Sequence, residues 1–136
     1  MTQNVSFTAG IVKGAGRGRK LGTPTFNLDL KKIPQALSEG VYAVRACLGD
    51  EKWHQATMHY GPRPTFGDMK SCEVHLLTEK FQNSNSRFQT LTVEVVERLR
   101  DIKKFESAEA LIVQLRKDAE RAREILHALP PQSQKL

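Results

Sequence analysis

The chain has 136 residues, of which 39% are hydrophobic and 26% charged, and its formal net charge at pH 7 is +6. This length fits one domain with a core of its own, and no run approaches the ~18 apolar residues that a membrane-spanning helix needs. The excess of Lys and Arg favours an anionic partner, such as nucleic acid, a membrane surface or a phosphate-bearing small molecule.

The cysteines and the N-terminal residues indicate the compartment. Cys47 and Cys72 both lie in apolar runs, which is more typical of two reduced, buried thiols than of a disulfide. The first ten residues, "MTQNVSFTAG", lack the basic and apolar regions of a signal peptide. We therefore expect a cytoplasmic protein.

Six segments have the β-branched composition or the alternation of apolar and polar residues that predicts strands. They cover residues 5–12, 25–30, 41–48, 52–60, 72–77 and 91–99. Their short spacing, with Gly, Pro and Asp between them, predicts an all-β fold in which a six-stranded antiparallel sheet closes into a small barrel.

The end of the chain changes to a helical period. Apolar residues from Leu111 to Leu129 recur at spacings of one, three and four, which predicts one amphipathic helix over about 107–129, packed on the barrel. Ser107 is the expected N-cap, and Pro130 and Pro131 should stop the helix. We expect a single domain over residues 1–129 and a tail over 130–136.

The stretch "GAGRGRK" (14–20) stands between the first two predicted strands. Gly14, Gly16 and Gly18 alternate with other residues, and a run of backbone N–H groups in such a turn forms a concave site for an anion. Arg17 and Lys20 add positive charge. A plain basic hairpin turn explains the same residues, whereas a Walker loop and a dinucleotide-binding turn do not fit the surrounding pattern.

Two pairs of polar residues lie two positions apart on predicted strands. Thr25 and Asn27 share one strand face and offer hard oxygen ligands suited to Mg²⁺, although they also fit the wet face of a half-buried strand. Glu73 and His75 share a face of "CEVHLL" (72–77), where a carboxylate could accept a proton from a substrate hydroxyl. On pattern alone, a solvated Glu is the commoner explanation.

In their order along the chain, several segments resemble the bacterial riboflavin kinases. They cover most of the chain and are "GAGRGRKLGTPTFNLDL", "GVYAVRA", "YGPRPTF", "CEVHLL" and "LRDIKKFESAEALIVQLRKDAERA". The resemblance implies a six-stranded antiparallel Greek-key barrel with a C-terminal helix, and transfer of the ATP γ-phosphate to the 5′-hydroxyl of riboflavin. The family module that makes FAD is missing here, so FAD synthesis is not expected.

The resemblance also implies roles for individual residues. Thr25 and Asn27 would meet Mg²⁺ and the ATP phosphates, and Glu73 would be the general base. A phosphate-covering flap would contain Gly14, Gly16, Arg17, Gly18 and Lys20. Arg100 and Phe105 are assigned to the flavin site. The expected partners are riboflavin or FMN and ATP or ADP, with no nucleic acid, no membrane and a monomeric chain.

The chain departs from the family pattern at three places. Phe26 replaces the usual Ala, Tyr60 and Pro62 are unusual in "MHYGPRPTF" (58–66), and "QNSNSRFQT" (82–90) replaces an acidic loop expected near the flavin. These departures leave open a flavin- or nucleotide-binding protein of the same fold without the reaction, or a kinase for a related alcohol. A nucleic-acid-binding barrel is a third reading, for which the aromatic residues are too few and too scattered.

Overall fold

We analysed a computed structural model of the chain, which describes residues 5–12, 24–49, 52–63, 68–78 and 89–129. Within these ranges the chain forms six strands, one short 3₁₀ turn and one α-helix. In chain order the elements are β1 (Val5–Val12), β2 (Thr25–Leu28), the 3₁₀ turn (Leu30–Lys32), β3 (Gly40–Leu48), β4 (Trp53–Arg63), β5 (Asp68–Leu76), β6 (Thr90–Arg100) and α1 (Ala108–Ala128).

The six strands close into a barrel in the order β1-β2-β5-β4-β3-β6, and every neighbouring pair is antiparallel. Strands β3, β4 and β5 follow one another as a meander, and β2 returns to lie beside β5. That order, 2-5-4-3, is a Greek key. The predicted fold class is therefore confirmed.

The barrel interior is filled by the apolar side of each alternating strand. Phe26, Met58, Val74 and Val93 are all buried in this core, as their strand patterns predict. Cys72 lies there too, and burial, helped by the nearby Glu73 charge, raises the pKa of its thiol to about 12. Cys72 and Cys47 are both buried and form no disulfide, as expected.

Helix α1 packs against the outside of the barrel and forms a second, smaller apolar cluster. Ala122 and Leu126 are buried there against Ala43 of β3, with Val96 of β6 beside them. Ser107 caps the helix, accepting a hydrogen bond from the amide of Ala110 at 3.1 Å, as predicted. Within the described residues, no helix combines the length and the apolar character needed to cross a membrane.

A buried arginine fixes the C-terminal end of the helix. Arg45 of β3 donates to the carbonyl oxygen of Leu126 at 3.2 Å and also to that of Leu129. Its guanidinium lies 3.2 Å from the Glu94 carboxylate, so the buried charge is paired. Arg45 therefore satisfies helix carbonyls that have no partner inside the helix.

Three predicted strand boundaries are wrong. Strand β2 stops at Leu28, because Asp29 accepts a hydrogen bond from the Lys31 amide at 3.0 Å and starts the 3₁₀ turn, leaving Leu30 39% exposed. Strand β4 runs past residue 60 to Arg63, and β5 begins at Asp68 rather than at residue 72. The extension includes Gly61, whose φ of 141° and shifted register mark an irregularity that a sequence pattern reads as a turn.

Candidate active site

A polar patch covers the outer face of three neighbouring strands, β2, β5 and β4. Since Phe26, Val74 and Met58 point into the barrel, the residues that alternate with them point out. The strand register places six polar side chains together on this face, and we call them the outer patch: Thr25, Asn27, Thr57, His59, Glu73 and His75.

Glu73 lies at the middle of the outer patch. Its strand neighbours are Asn27 on β2 and His59 on β4, each directly opposite in the register. The residue is only 2% exposed. The interpretation of Glu73 as a solvated surface residue is therefore wrong. Glu side chains are seldom fully buried unless they have partners, so Glu73 is a candidate for a functional role.

His75 links Glu73 to Thr25. Its Nδ1 lies 2.9 Å from Thr25 Oγ1, which is a hydrogen bond, and its Nε2 lies 3.7 Å from Glu73 Oε1. His75 is also 2% exposed, and it stands opposite Thr25 on β2 and Thr57 on β4. The two predicted polar pairs, Thr25 with Asn27 and Glu73 with His75, are thus brought side by side.

The basic glycine-rich stretch adjoins this patch in the chain. Its residues Gly14, Gly16, Arg17, Gly18 and Lys20 lie outside the described residues. The strand that precedes it ends at Val12, and Val12 is paired with Asn27. Val12, the last described residue before the stretch, therefore lies next to the outer patch.

The donor atoms of the patch suit a hard cation shared with phosphate groups. Thr25 offers a hydroxyl oxygen and Asn27 an amide oxygen on one strand face, and both residues are partly exposed. Among the described residues, no group of three or more His, Cys, Asp and Glu side chains could hold a metal alone. The oxygens of Thr25 and Asn27 fit Mg²⁺, which keeps waters and substrate oxygens among its ligands.

The two residues assigned to the flavin lie elsewhere on the barrel. Arg100 is the last residue of β6, and strands β3 and β4 lie between β6 and β5. Its guanidinium forms a bidentate pair with Asp118 of α1, with Nη2 2.8 Å from Oδ2 and Nε 3.0 Å from Oδ1. Phe105 lies beside it, its ring centre 5.6 Å from Arg100 Cζ. Arg100 and Phe105 thus form one cluster with the helix, separate from Glu73 in the sheet, and their flavin contact stays a prediction.

Two of the residues that depart from the family pattern, Phe26 and Tyr60, lie in the barrel core. Phe26 is buried inside the barrel, on the face opposite Thr25 and Asn27. Tyr60 is also a core residue, and the ammonium group of Lys70 lies 4.6 Å from its ring centre. In the 82–90 loop, residues 82–88 lie outside the described residues.

Sequence reasoning missed three residues that the fold makes prominent. Thr57 and His59 join the outer patch through the β4–β5 register. Asp118 is a buried residue of α1 itself, with Arg100 and Gln114 as its hydrogen-bond partners. The alternation of polar residues in "KWHQATMHY" (52–60) was a signal for the first two, but it does not reveal which strand lies opposite.

Solved structures share this architecture. A riboflavin kinase from Trypanosoma brucei matches 93% of this chain and 82% of its own, with a TM-score of 0.58 and 15% identity. At that identity the likeness concerns the fold. A structure titled macrolide-efflux protein from Streptococcus pneumoniae matches 88% of this chain and 38% of its own, with a TM-score of 0.69 and 29% identity.

Curated proteins are similar in sequence as well. The RNA-binding riboflavin kinase RibR of Bacillus subtilis is 32% identical over 108 residues, which are 79% of this chain and 45% of that protein. The chain thus spans less than half the length of this relative. The riboflavin kinase of Mus musculus is 33% identical over 124 residues, covering 85% of this chain and 77% of the mouse protein.

The family model for riboflavin kinase, Flavokinase, matches residues 1–126. That match includes β1 to β6 and nearly all of α1, and so contains the whole outer patch. The chain belongs to the riboflavin kinase family.

Proposed function

We propose that this protein transfers the γ-phosphate of ATP to the 5′-hydroxyl of the riboflavin ribityl chain, giving FMN and ADP. The observation that supports this most is the burial of Glu73 directly opposite Asn27, which is itself paired with Val12, two residues before the glycine-rich stretch begins in the sequence. A base, oxygen ligands and a phosphate-binding segment are the parts that phosphoryl transfer needs.

Glu73 is the proposed general base. The ribityl oxygen forms a bond to the γ-phosphorus, the bond from that phosphorus to the β–γ bridging oxygen breaks, and the hydroxyl proton passes to the Glu73 carboxylate. Such a base contributes typically ~10²–10⁴-fold. Burial at 2% exposure keeps the carboxylate in a fixed place, which matters more in a loose transition state than strong basicity.

Thr25 and Asn27 are the proposed contacts to the metal and the nucleotide. Their oxygens would hold Mg²⁺ against the phosphates, and that ion, when bound, neutralises charge on the transferred group. The outer patch contains no Lys or Arg. We therefore assign neutralisation of the remaining phosphate charge of ATP to Arg17 and Lys20 of the glycine-rich stretch.

A binding protein without the reaction is less well supported. Its support is Phe26, which could crowd the nucleotide or the flavin, and the altered 82–90 loop. The side chain of Phe26 is buried in the core, away from Thr25 and Asn27, so this departure alters packing rather than the patch. The 82–90 loop remains the departure that bears on flavin specificity.

A nucleic-acid function is suggested by the name of one relative, the RNA-binding riboflavin kinase RibR. On the exposed side of α1, however, the basic residues alternate with acids: Lys117 and Arg121 share an open groove with Glu97, Glu120 and Glu124. Mixed charge of this kind is typical of a solvated helix face. We therefore keep the proposal of no nucleic-acid partner.

We further propose a cytoplasmic monomer. Cys47 and Cys72 are buried and form no disulfide, which fits a reducing compartment.

The proposed reaction is tested by incubating the purified protein with riboflavin, ATP and Mg²⁺ and separating the flavins by chromatography. We expect FMN to form in proportion to ADP. Riboflavin binding in a calorimeter with no formation of FMN would favour the non-catalytic alternative. Phosphorylation of a different alcohol would mean that this alcohol, and not riboflavin, is the substrate.

A further inference from the structure

We propose that His75 is a positioning residue that couples the nucleotide half of the outer patch to the base half. The inference rests on the proposed function. His75 is buried, and its two ring nitrogens face two different groups, with Nδ1 2.9 Å from Thr25 Oγ1 and Nε2 3.7 Å from Glu73 Oε1. The two nitrogens stand on different sides of one rigid ring, so a shift of either neighbour is felt by the other.

The chemistry of the two contacts selects one tautomer. At 3.7 Å the separation of Nε2 and Glu73 Oε1 is longer than a hydrogen bond, but a carboxylate can only accept, so we expect the proton on the nitrogen that faces Glu73, Nε2. In the neutral ring Nδ1 is then an acceptor, and the Thr25 hydroxyl donates to it.

That donation has a consequence for the nucleotide side. Once the Thr25 hydroxyl donates its proton to His75, the lone pairs of Oγ1 point away from the ring. A hydroxyl with its lone pairs outward is ready to meet a cation, whereas a freely rotating one must first be ordered. His75 thereby prepares Thr25 for the metal-bound phosphates.

The same ring also faces the base, with Nε2 3.7 Å from the Glu73 carboxylate. Glu73 stands on β5 two residues before His75, and a carboxylate that is to take a proton must be held close to one productive position. A misplacement of ~1 Å can cost ~10²-fold in rate. A buried histidine that only fills space would affect neither the order of Thr25 nor the position of Glu73 specifically.

Two substitutions separate the two contacts. The amide of Asn can occupy the place of Nδ1 but does not reach Glu73, and the amide of Gln reaches the place of Nε2 but leaves Thr25. We expect His75→Asn to lower kcat at least tenfold with the Kd for Mg-ADP within threefold of wild type. We expect His75→Gln to raise that Kd about tenfold and to lower kcat less than the Asn variant does.

His127→Asn, which changes an exposed histidine near the end of α1, is the control and should alter neither quantity. Calorimetry with Mg-ADP gives a readout that does not need turnover. A wild type that forms no FMN contradicts the proposed function, while the Mg-ADP comparison still tests the Thr25 contact. Equal changes in both variants, or none, would reduce His75 to a packing residue.

A second measurement covers variants that fail to fold. The ¹⁵N chemical shifts of the imidazole in the wild-type protein distinguish a protonated from an unprotonated ring nitrogen. We expect Nε2 protonated and Nδ1 unprotonated at neutral pH. A neutral ring that carries its proton on Nδ1 would overturn the proposal, because Thr25 would then accept from His75 rather than donate to it.

Discussion

Asn27 of β2 lies directly opposite Glu73 of β5 in the barrel, although 45 residues separate them in the chain. Residues opposite each other on antiparallel strands have Cβ atoms about 4.5–5.5 Å apart. This single pairing places a candidate metal ligand beside a candidate base. The same register places Thr25 opposite His75, two residues further along each strand.

Substitution of Asn27 tests the nucleotide half of the patch. Asn27→Ala removes an oxygen ligand from a partly exposed strand position, so the fold should survive. We expect the Kd for Mg-ADP to rise well over tenfold, a change of about 1.4 kcal/mol or more. Calorimetry measures it, with Thr8→Ala, an exposed residue of β1, as control. Unchanged nucleotide affinity and kinetics in the Ala variant would remove Asn27 from the site.

The glycine-rich stretch gives a prediction that comes from the sequence alone. If Gly16 and Gly18 allow a phosphate-covering segment to open and close, replacing both with Val should raise the KM for ATP or abolish activity. The melting temperature should stay nearly the same. A large fall in melting temperature with normal kinetics would mean instead that the glycines are structural turn residues.

The pair of Arg100 and Asp118 should stabilise the docking of α1. Asp118 is buried and accepts hydrogen bonds from Arg100 and Gln114, so Asp118→Ala leaves a guanidinium without its partner. We expect the free energy of unfolding to fall by about 3 kcal/mol, the low end for a buried pair because Arg100 is partly exposed. Denaturant unfolding measures the change.

A matched control for that variant exists on the same helix. Arg121 and Glu97 form a pair at 4.0 Å whose side chains are 62% and 47% exposed. Surface pairs of this kind contribute little, so Arg121→Ala should change stability by less than about 0.5 kcal/mol. Equal losses in the two variants would show that the Asp118 contact is no more than a surface interaction.

The Cys72 thiol predicts a pH dependence of stability. Burial raises its pKa from 9.0 to about 12, so the folded state keeps a proton that the unfolded state loses. This contribution is fully present below pH 9 and should be lost as the pH rises from 9 towards 12, by at most about 1.4 kcal/mol per pH unit. Alkaline unfolding of wild type and Cys72→Ala measures it as the difference between the two slopes. Parallel curves would contradict the raised pKa.

Local patterns predicted much of this fold, while the neighbours of each site residue could not be read from them. Alternation correctly placed Phe26 and Leu28 in the core and Glu73 and His75 on one face, because strand periodicity is a property of adjacent residues. Leu30, which the same alternation puts beside Phe26 and Leu28, is instead exposed in the 3₁₀ turn. That Asn27 meets Glu73 depends on the register between strands far apart in the chain, which closure of the barrel decides.

Burial was the harder quantity to predict. Glu73 reads as a solvated residue in its own strand, yet it is buried by the assembled protein. Asp118 reads as part of a charged helix face, yet the end of β6 brings Arg100 onto it. In both cases a polar side chain is buried by elements distant in sequence, and local composition carries no information about those elements.

The most direct test of the proposed base is the turnover of Glu73→Gln. This change keeps the shape of the side chain and removes its ability to take a proton, with Glu97→Gln, an exposed glutamate of β6, as control. We predict that FMN formation falls by ~10²–10⁴-fold, while riboflavin and Mg-ADP bind as in the wild type. FMN formation at the wild-type rate in the Gln variant would contradict the account and place the base elsewhere.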